Sequence, residues 1–293
     1  MNIILLLDFL ATVVVGLGSG PAGSLATIDD LASKYTIEKC ITCHKDIHKE
    51  WSYSMHSKSV IDSRVIRTWR TFILRGLDAS PKAERRDLKD VCLLCHAPQT
   101  KDVSDKMIER IAGLIVTAAD NEKEKKEAIS ELSKLNINCL ICHNLKGSQD
   151  NKPMEKTIYG PKGSGELPHK KALGFDTVKS PFMSTPEFCA QCHHGCPQGM
   201  PSTICPTVYS SYKEDYVARG GTKRCQDCHM KGEDRASHRF PGIYDTDFVK
   251  SGIDLSVEVL PTTYVFHLEN RMVPAIVLNV GVKNTAGHII PHG

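Results

Sequence analysis

One short string occurs five times in this chain: Cys40-Ile41-Thr42-Cys43-His44, Cys92-Leu93-Leu94-Cys95-His96, Cys139-Leu140-Ile141-Cys142-His143, Cys189-Ala190-Gln191-Cys192-His193 and Cys225-Gln226-Asp227-Cys228-His229. No other feature restricts the fold as tightly. On a turn of helix, residues three and four apart share a face. The two thiols of each string therefore stand side by side, and the histidine leans over the same face. That arrangement suits covalent attachment of a c-type haem, with two thioether links to the porphyrin and an imidazole nitrogen for the iron. Structural zinc also uses Cys-x-x-Cys pairs, but it has no need of a histidine directly after the second cysteine. With 13 histidines in 293 residues, five such coincidences have odds on the order of one in ten million. The strings predict five covalently bound haem c groups. Ten cysteines form the thioethers, and His44, His96, His143, His193 and His229 are the proximal iron ligands.

That expectation changes the meaning of the bulk numbers. Aromatic residues are only 6% of the chain, which is little for a core of this size. Five porphyrins would supply the missing apolar bulk, so the fold is expected to form only with haem present. The formal charge of +3 counts no cofactor. Ten propionates and five ferric centres bring it to about −2, and to about −7 on reduction. No Lys/Arg block tracks phosphates, so no nucleic-acid partner is expected. Haem c is attached outside the cytoplasmic membrane, so the chain should be exported to the periplasm or the cell surface. Residues 1–26 read as a signal peptide: apolar from Ile3 to Leu7 and from Phe9 to Leu17, with Ser24-Leu25-Ala26 as a cleavage site. No later stretch is long and apolar enough to span a membrane.

The expected fold is mainly α, with long irregular loops wrapped around the five haems over residues 27–250. A small antiparallel β region follows over 251–293, with further strands expected beyond Gly293. Ile47, Trp51 and Met55 recur every four residues and mark a helix. If that helix ran on, His56 would lie ~18 Å along the axis from His44. It would then serve a neighbouring haem instead. Ile108, Ile111 and Ile115 mark one amphipathic helix and Ile129, Leu132 and Leu135 another, together a helical hairpin. Strict alternation from Ile253 to Val259 predicts a strand, and Tyr264–Leu268 and Ala275–Val282 predict two more. Cys196 and Cys205, left over from the five strings, are expected to close a small loop as a disulfide.

Eight histidines remain for the second side of the irons: His48, His56, His169, His194, His238, His267, His288 and His292. Histidine on both sides keeps a haem potential low, whereas methionine raises it. There are enough histidines to make methionine unnecessary. His48, one turn beyond His44, suits a packing role, and His169 lies in a loop close to the haems. His194 points about 100° away from His193, so it either serves another haem or bonds a propionate.

The flanking words carry a resemblance over roughly residues 38–293. They are Trp51-x-x-Ser54-x-His56, Pro168-His169-Lys170, His238-x-Phe240-Pro241-Gly242 and Gly287-His288-x-x-Pro291. In this order the chain resembles multihaem c-type cytochromes related to the tetrahaem electron acceptor of hydroxylamine oxidoreductase. It is similar also to surface cytochromes that polymerise into conductive filaments. The resemblance implies His56, His169, His238 and His288 as distal ligands, and closely stacked haems passing single electrons. Two departures matter. His292 replaces the usual threonine of the last word, and residues 209–220 lack the Trp or His such chains often carry there. One haem is thereby left without an obvious sixth ligand, or takes it from another subunit.

The function expected is an electron carrier with redox partner proteins, not an enzyme with its own substrate. Two alternatives stand beside it. One is a haem oxidoreductase acting on a small nitrogen or sulfur compound at an open iron position, although the Cys-x-x-Cys-Lys motif of similar pentahaem nitrite reductases is missing. The other is a self-associating filament subunit.

Overall fold

The computed structural model describes residues 27–74, 86–149, 154–160, 169–195 and 208–290. Residues 1–26, expected to be a signal peptide, and Cys196, Cys205 and His292 lie outside the described residues.

An aliphatic core fills the first half of the chain. Its centre is the helix Asp105–Asp120, which starts where the Ser104 hydroxyl accepts the Met107 amide hydrogen at 3.3 Å. Ile108, Ile111, Leu114, Ile115 and Ala118 line its buried stripe. Full burial of each isoleucine contributes roughly 2–3 kcal/mol. The antiparallel partner Lys125–Ser133 adds Ala128 and Leu132, and Leu135 follows. This is the helical hairpin the 3.6-residue period predicts. Ile28 and Leu31 of the helix Ile28–Ser33 and Trp69 close the core. Arg70 to Asp120 and Lys134 to Asp29, both at 2.6 Å, tie its edges.

The second haem string is rooted in this core. It runs from the wide π-helical turn Leu88–Cys92 into the helix Leu93–His96, with Leu88, Cys92, Leu93 and Ala97 buried. Isoleucine and leucine, not aromatics, fill the space. Beyond Tyr159 the buried residues among those described are few: Ser180, Ser211 and Gly252.

Two small sheets complete the described residues. Strands β1 (Thr157–Gly160) and β2 (Asp176–Lys179) pair in parallel, with the helix His169–Leu173 between them in sequence. Strands β3 (Ile253–Phe266) and β4 (Arg271–Asn284) form one antiparallel hairpin of 14 paired positions, ~48 Å long. The three strands expected are thus two, because β3 runs straight through Pro261, paired with Ile276. Both strands are edges, and an edge accepts proline where its missing N–H would face outward. Leu255, Val257, Val259, Ile276, Leu278, Val280 and Val282 share one face and are each more than half exposed.

Candidate functional site

The helix after the first string, Lys45–Tyr53, ends where Ser54 turns extended, and His56 begins a short 3-10 turn. That bend sends the His56 imidazole to His193 of the fourth string, with ring centres 6.2 Å apart. Three more pairs have the same spacing. His44 faces His169 at 6.0 Å, His143 faces His238 at 6.2 Å and His229 faces His288 at 6.2 Å. Each pair joins one string histidine to one histidine from a flanking word. His194 forms no such pair: its ring packs against Tyr209 at 5.1 Å and its Nδ1 meets Ser210 Oγ at 3.1 Å. His48 packs on Trp51 at 5.4 Å. His96 is the exception among the strings. Trp69 meets its ring edge-on at 5.1 Å, and among the described residues no second imidazole stands opposite it.

Carbonyl oxygens set the tautomers. His96 Nδ1 contacts Ser59 O at 2.6 Å, His143 Nδ1 contacts Tyr159 O at 2.8 Å, and His229 Nδ1 contacts Pro241 O at 2.8 Å. His238 and His288 meet the carbonyls of Ala236 and Ile289 at 3.2 and 2.9 Å. A carbonyl can only accept, so each Nδ1 carries the proton and each Nε2 keeps its lone pair. The small parallel sheet serves this purpose. Strand β1 presents the Tyr159 carbonyl to His143, and β2 presents the Thr177 hydroxyl to His169 at 3.2 Å. Burial favours the neutral form of several of these imidazoles. It lowers His56 to about 4, with help from His193, His229 and His96 nearby. It also lowers His96, His143, His229 and His238.

The thiols show which strings are neighbours. Cys40 shares a hydrogen bond with Cys139, Cys95 with Cys192, and Cys225 with Cys189. Within each pair the accepting thiol is favoured as thiolate: Cys40 and Cys95 fall to about 7, and Cys225 is lowered too. The donors Cys139, Cys192 and Cys189 are pushed up. Burial alone raises Cys142 to about 11, and it dominates the rise of Cys92 to about 12. Cys142 also lies within electrostatic reach of Cys189 and Cys192. The first string thus adjoins the third, the third adjoins the fourth, and the second and fifth both adjoin the fourth. All ten of these cysteines are unbridged.

These residues fit haem. Two imidazoles bound through Nε2 to opposite sides of one metal place their ring centres ~6 Å apart, from ~2 Å per metal–nitrogen bond. Among the described residues no group of three or more His, Cys, Asp or Glu side chains converges as a bare ion would need. Pairs of imidazoles leave the other positions to a porphyrin, for which paired thiols stand beside each string histidine.

Residues 77–239, more than half of the chain, match the family model of outer membrane cytochromes, MtrC/MtrF-like, domains II/IV. The chain belongs to this family. It is therefore an exported multihaem electron-transfer cytochrome that binds haem c. The matched span contains four of the five strings along with His169 and His238. It leaves His44, His56 and His288 outside. No curated protein and no solved structure matches the chain. Among the described residues no helix is long and apolar enough to cross a membrane.

Sequence reading missed the groups that hold these histidines. Tyr159, Pro241 and Ser59 act through backbone carbonyls, which leave no trace in a sequence. Glu50, whose carboxylate accepts from the His238 amide at 2.8 Å, lies 188 residues away and reads as a surface charge.

Proposed function

We propose that the chain is a pentahaem relay at the cell surface, with one haem c on each string and four of the five irons held between two histidines. The pairs are His44 with His169, His143 with His238, His193 with His56, and His229 with His288. The observation that carries this reading is the common spacing of 6.0–6.2 Å in all four pairs. Bound haem supplies reversible one-electron chemistry at its iron.

The chain's own groups do the rest. Cysteine sulfurs tether each porphyrin. Carbonyls fix the proton on Nδ1 and make Nε2 a better donor. Burial favours the neutral form of His56, His143, His169, His229 and His238, as metal binding requires. Thiol contacts hold the attachment sites in the order first, third, fourth, with the second and fifth beside the fourth, close enough for transfer within one subunit. The helices and loops of residues 27–250 form the frame around the cofactors, and Cys196–Cys205 closes a loop. The finer kinship to the electron acceptor of hydroxylamine oxidoreductase, and a filament role, rest on the flanking words alone.

Mass spectrometry of the mature protein together with electron paramagnetic resonance tests the reading. The mass should exceed that of the polypeptide by five haems, and the oxidised spectrum should be dominated by low-spin signals. A colourless protein, or a mainly high-spin spectrum, would overturn it. Trp69 lies edge-on to His96, and among the described residues no second imidazole faces it; this favours a second reading for that site alone, in which its iron keeps an open position for a small nitrogen or sulfur compound. A minor high-spin signal altered by nitrite or sulfite would support that role.

A further inference from the structure

The loop from Arg235 to Pro241 reaches three of the paired sites within seven residues. His238 stands opposite His143. The Phe240 ring meets the His56 ring edge-on at 4.7 Å and the His238 ring at 5.8 Å. The Pro241 carbonyl accepts from His229 Nδ1. Phe240 also holds a left-handed backbone, φ 46°, which a bulky side chain adopts only where its surroundings impose it.

One side chain holds the segment that leads into Phe240. Glu50 lies on the helix Lys45–Tyr53, directly after the first string. Its two carboxylate oxygens take both Arg235 guanidinium nitrogens at 2.9 Å, a bidentate pair. The same carboxylate accepts the His238 amide hydrogen at 2.8 Å and the Ser237 hydroxyl at 3.4 Å. The Ser237 amide in turn bonds Met230 O, next to the fifth string, at 2.9 Å. The loop is thus fixed at its start by Glu50 and at its end by His229.

We propose that Glu50 is a positioning residue that clamps the Arg235–Pro241 loop, and that the loop acts as one strap setting the axial histidines of three haem sites together. This rests on the relay reading above. Through Phe240, displacement of His238 is felt by His56. Through Pro241, it is felt by His229. The His44–His169 pair does not touch the strap and serves as an internal reference.

The test uses the full holoprotein and its Glu50→Gln variant, with haem count and circular dichroism as controls for folding. Glutamine keeps the shape, but it replaces one accepting oxygen with an NH₂ that faces donors. Low-spin signal should be lost from two centres, those of His143–His238 and His193–His56. Added imidazole should restore it, which a general loss of fold would not allow. The His229 centre should stay low-spin and move to a more positive potential, because a weaker Nδ1 hydrogen bond makes the imidazole a poorer donor. Phe240→Leu should disturb the two His238 and His56 centres and leave the potential of the His229 centre in place. An unchanged Glu50→Gln spectrum and redox titration would overturn the proposal, as would a change confined to one centre. If Glu50→Gln fails to load five haems, the Phe240→Leu result decides. If the native protein itself lacks low-spin signals, the relay reading fails and not merely the strap.

Discussion

Ser59 is the residue through which the second string is fixed, and replacing it gives a calculable loss. Its hydroxyl donates to His96 O at 2.7 Å and accepts the Ile137 amide hydrogen at 3.0 Å, while its own carbonyl meets His96 Nδ1 at 2.6 Å. The side chain is buried. Ser59→Ala removes one oxygen and leaves space too small to count as a cavity, so the cost is that of two partners left unsatisfied. At ~1 kcal/mol each, this comes to about 2 kcal/mol. For a chain of this size that lowers Tm by roughly 3 °C. The comparison is Ser57→Ala, whose one hydroxyl hydrogen is shared between two nearby carbonyls, Ser52 O and Ser54 O. Thermal unfolding followed by far-ultraviolet circular dichroism should separate the two variants. The His96 centre alone should also shift in a redox titration, since the His96 backbone loses its tie. If Ser59→Ala and Ser57→Ala melt together, the hydroxyl is not the link between these segments and the reasoning fails.

Three further outcomes follow from the same geometry. Gly147→Ala would place a methyl 2.5 Å from Tyr159 Cβ; it should displace the carbonyl that holds His143 and alter that centre's spectrum, whereas Gly113→Ala, with open space around it, should be silent. His56→Met should raise the potential of the His193 centre and leave the others in place; a redox titration with no shifted component would remove His56 from the ligand set. Tyr209 donates to Glu187 at 2.7 Å, which raises its phenol to about 12. A raised pKa means a contribution complete below pH 10 and lost as pH climbs towards 12, so native protein and Tyr209→Phe should differ in urea midpoint at pH 8 and converge at the alkaline end.

Local chemistry was legible in the sequence, and long-range assembly was not. The period of Ile108, Ile111 and Ile115 gave the helix Asp105–Asp120, because a solvent-facing helix must alternate its faces. The flanking words singled out His56, His169, His238 and His288, and these are the rings that stand 6.0–6.2 Å from a string histidine. Which faces which depends on packing between distant segments, and no local pattern records that. His194 was open between ligand and hydrogen-bond partner, and its surroundings, Tyr209 and Ser210, are not visible from its place beside His193. Ile253–Val259 and Tyr264–Leu268 read as separate strands, yet β3 joins them through Pro261, which a two-stranded sheet, having only edges, accommodates. Glu50 gave no signal at all, since its partner Arg235 is 185 residues away.

The burial of Cys92 sets an order of events during biogenesis. Its thiol is closed within the same aliphatic cluster as Leu88, Ile111 and Leu132, and burial holds it almost wholly protonated. An attachment enzyme needs a reachable, reactive sulfur. The helical hairpin, whose strong local periodicity lets it collapse quickly and without cofactor, would seal that sulfur once docked. Loading of the second string would therefore have to come before the first half of the chain condenses, and an exported chain that condensed early would be left with that one site empty.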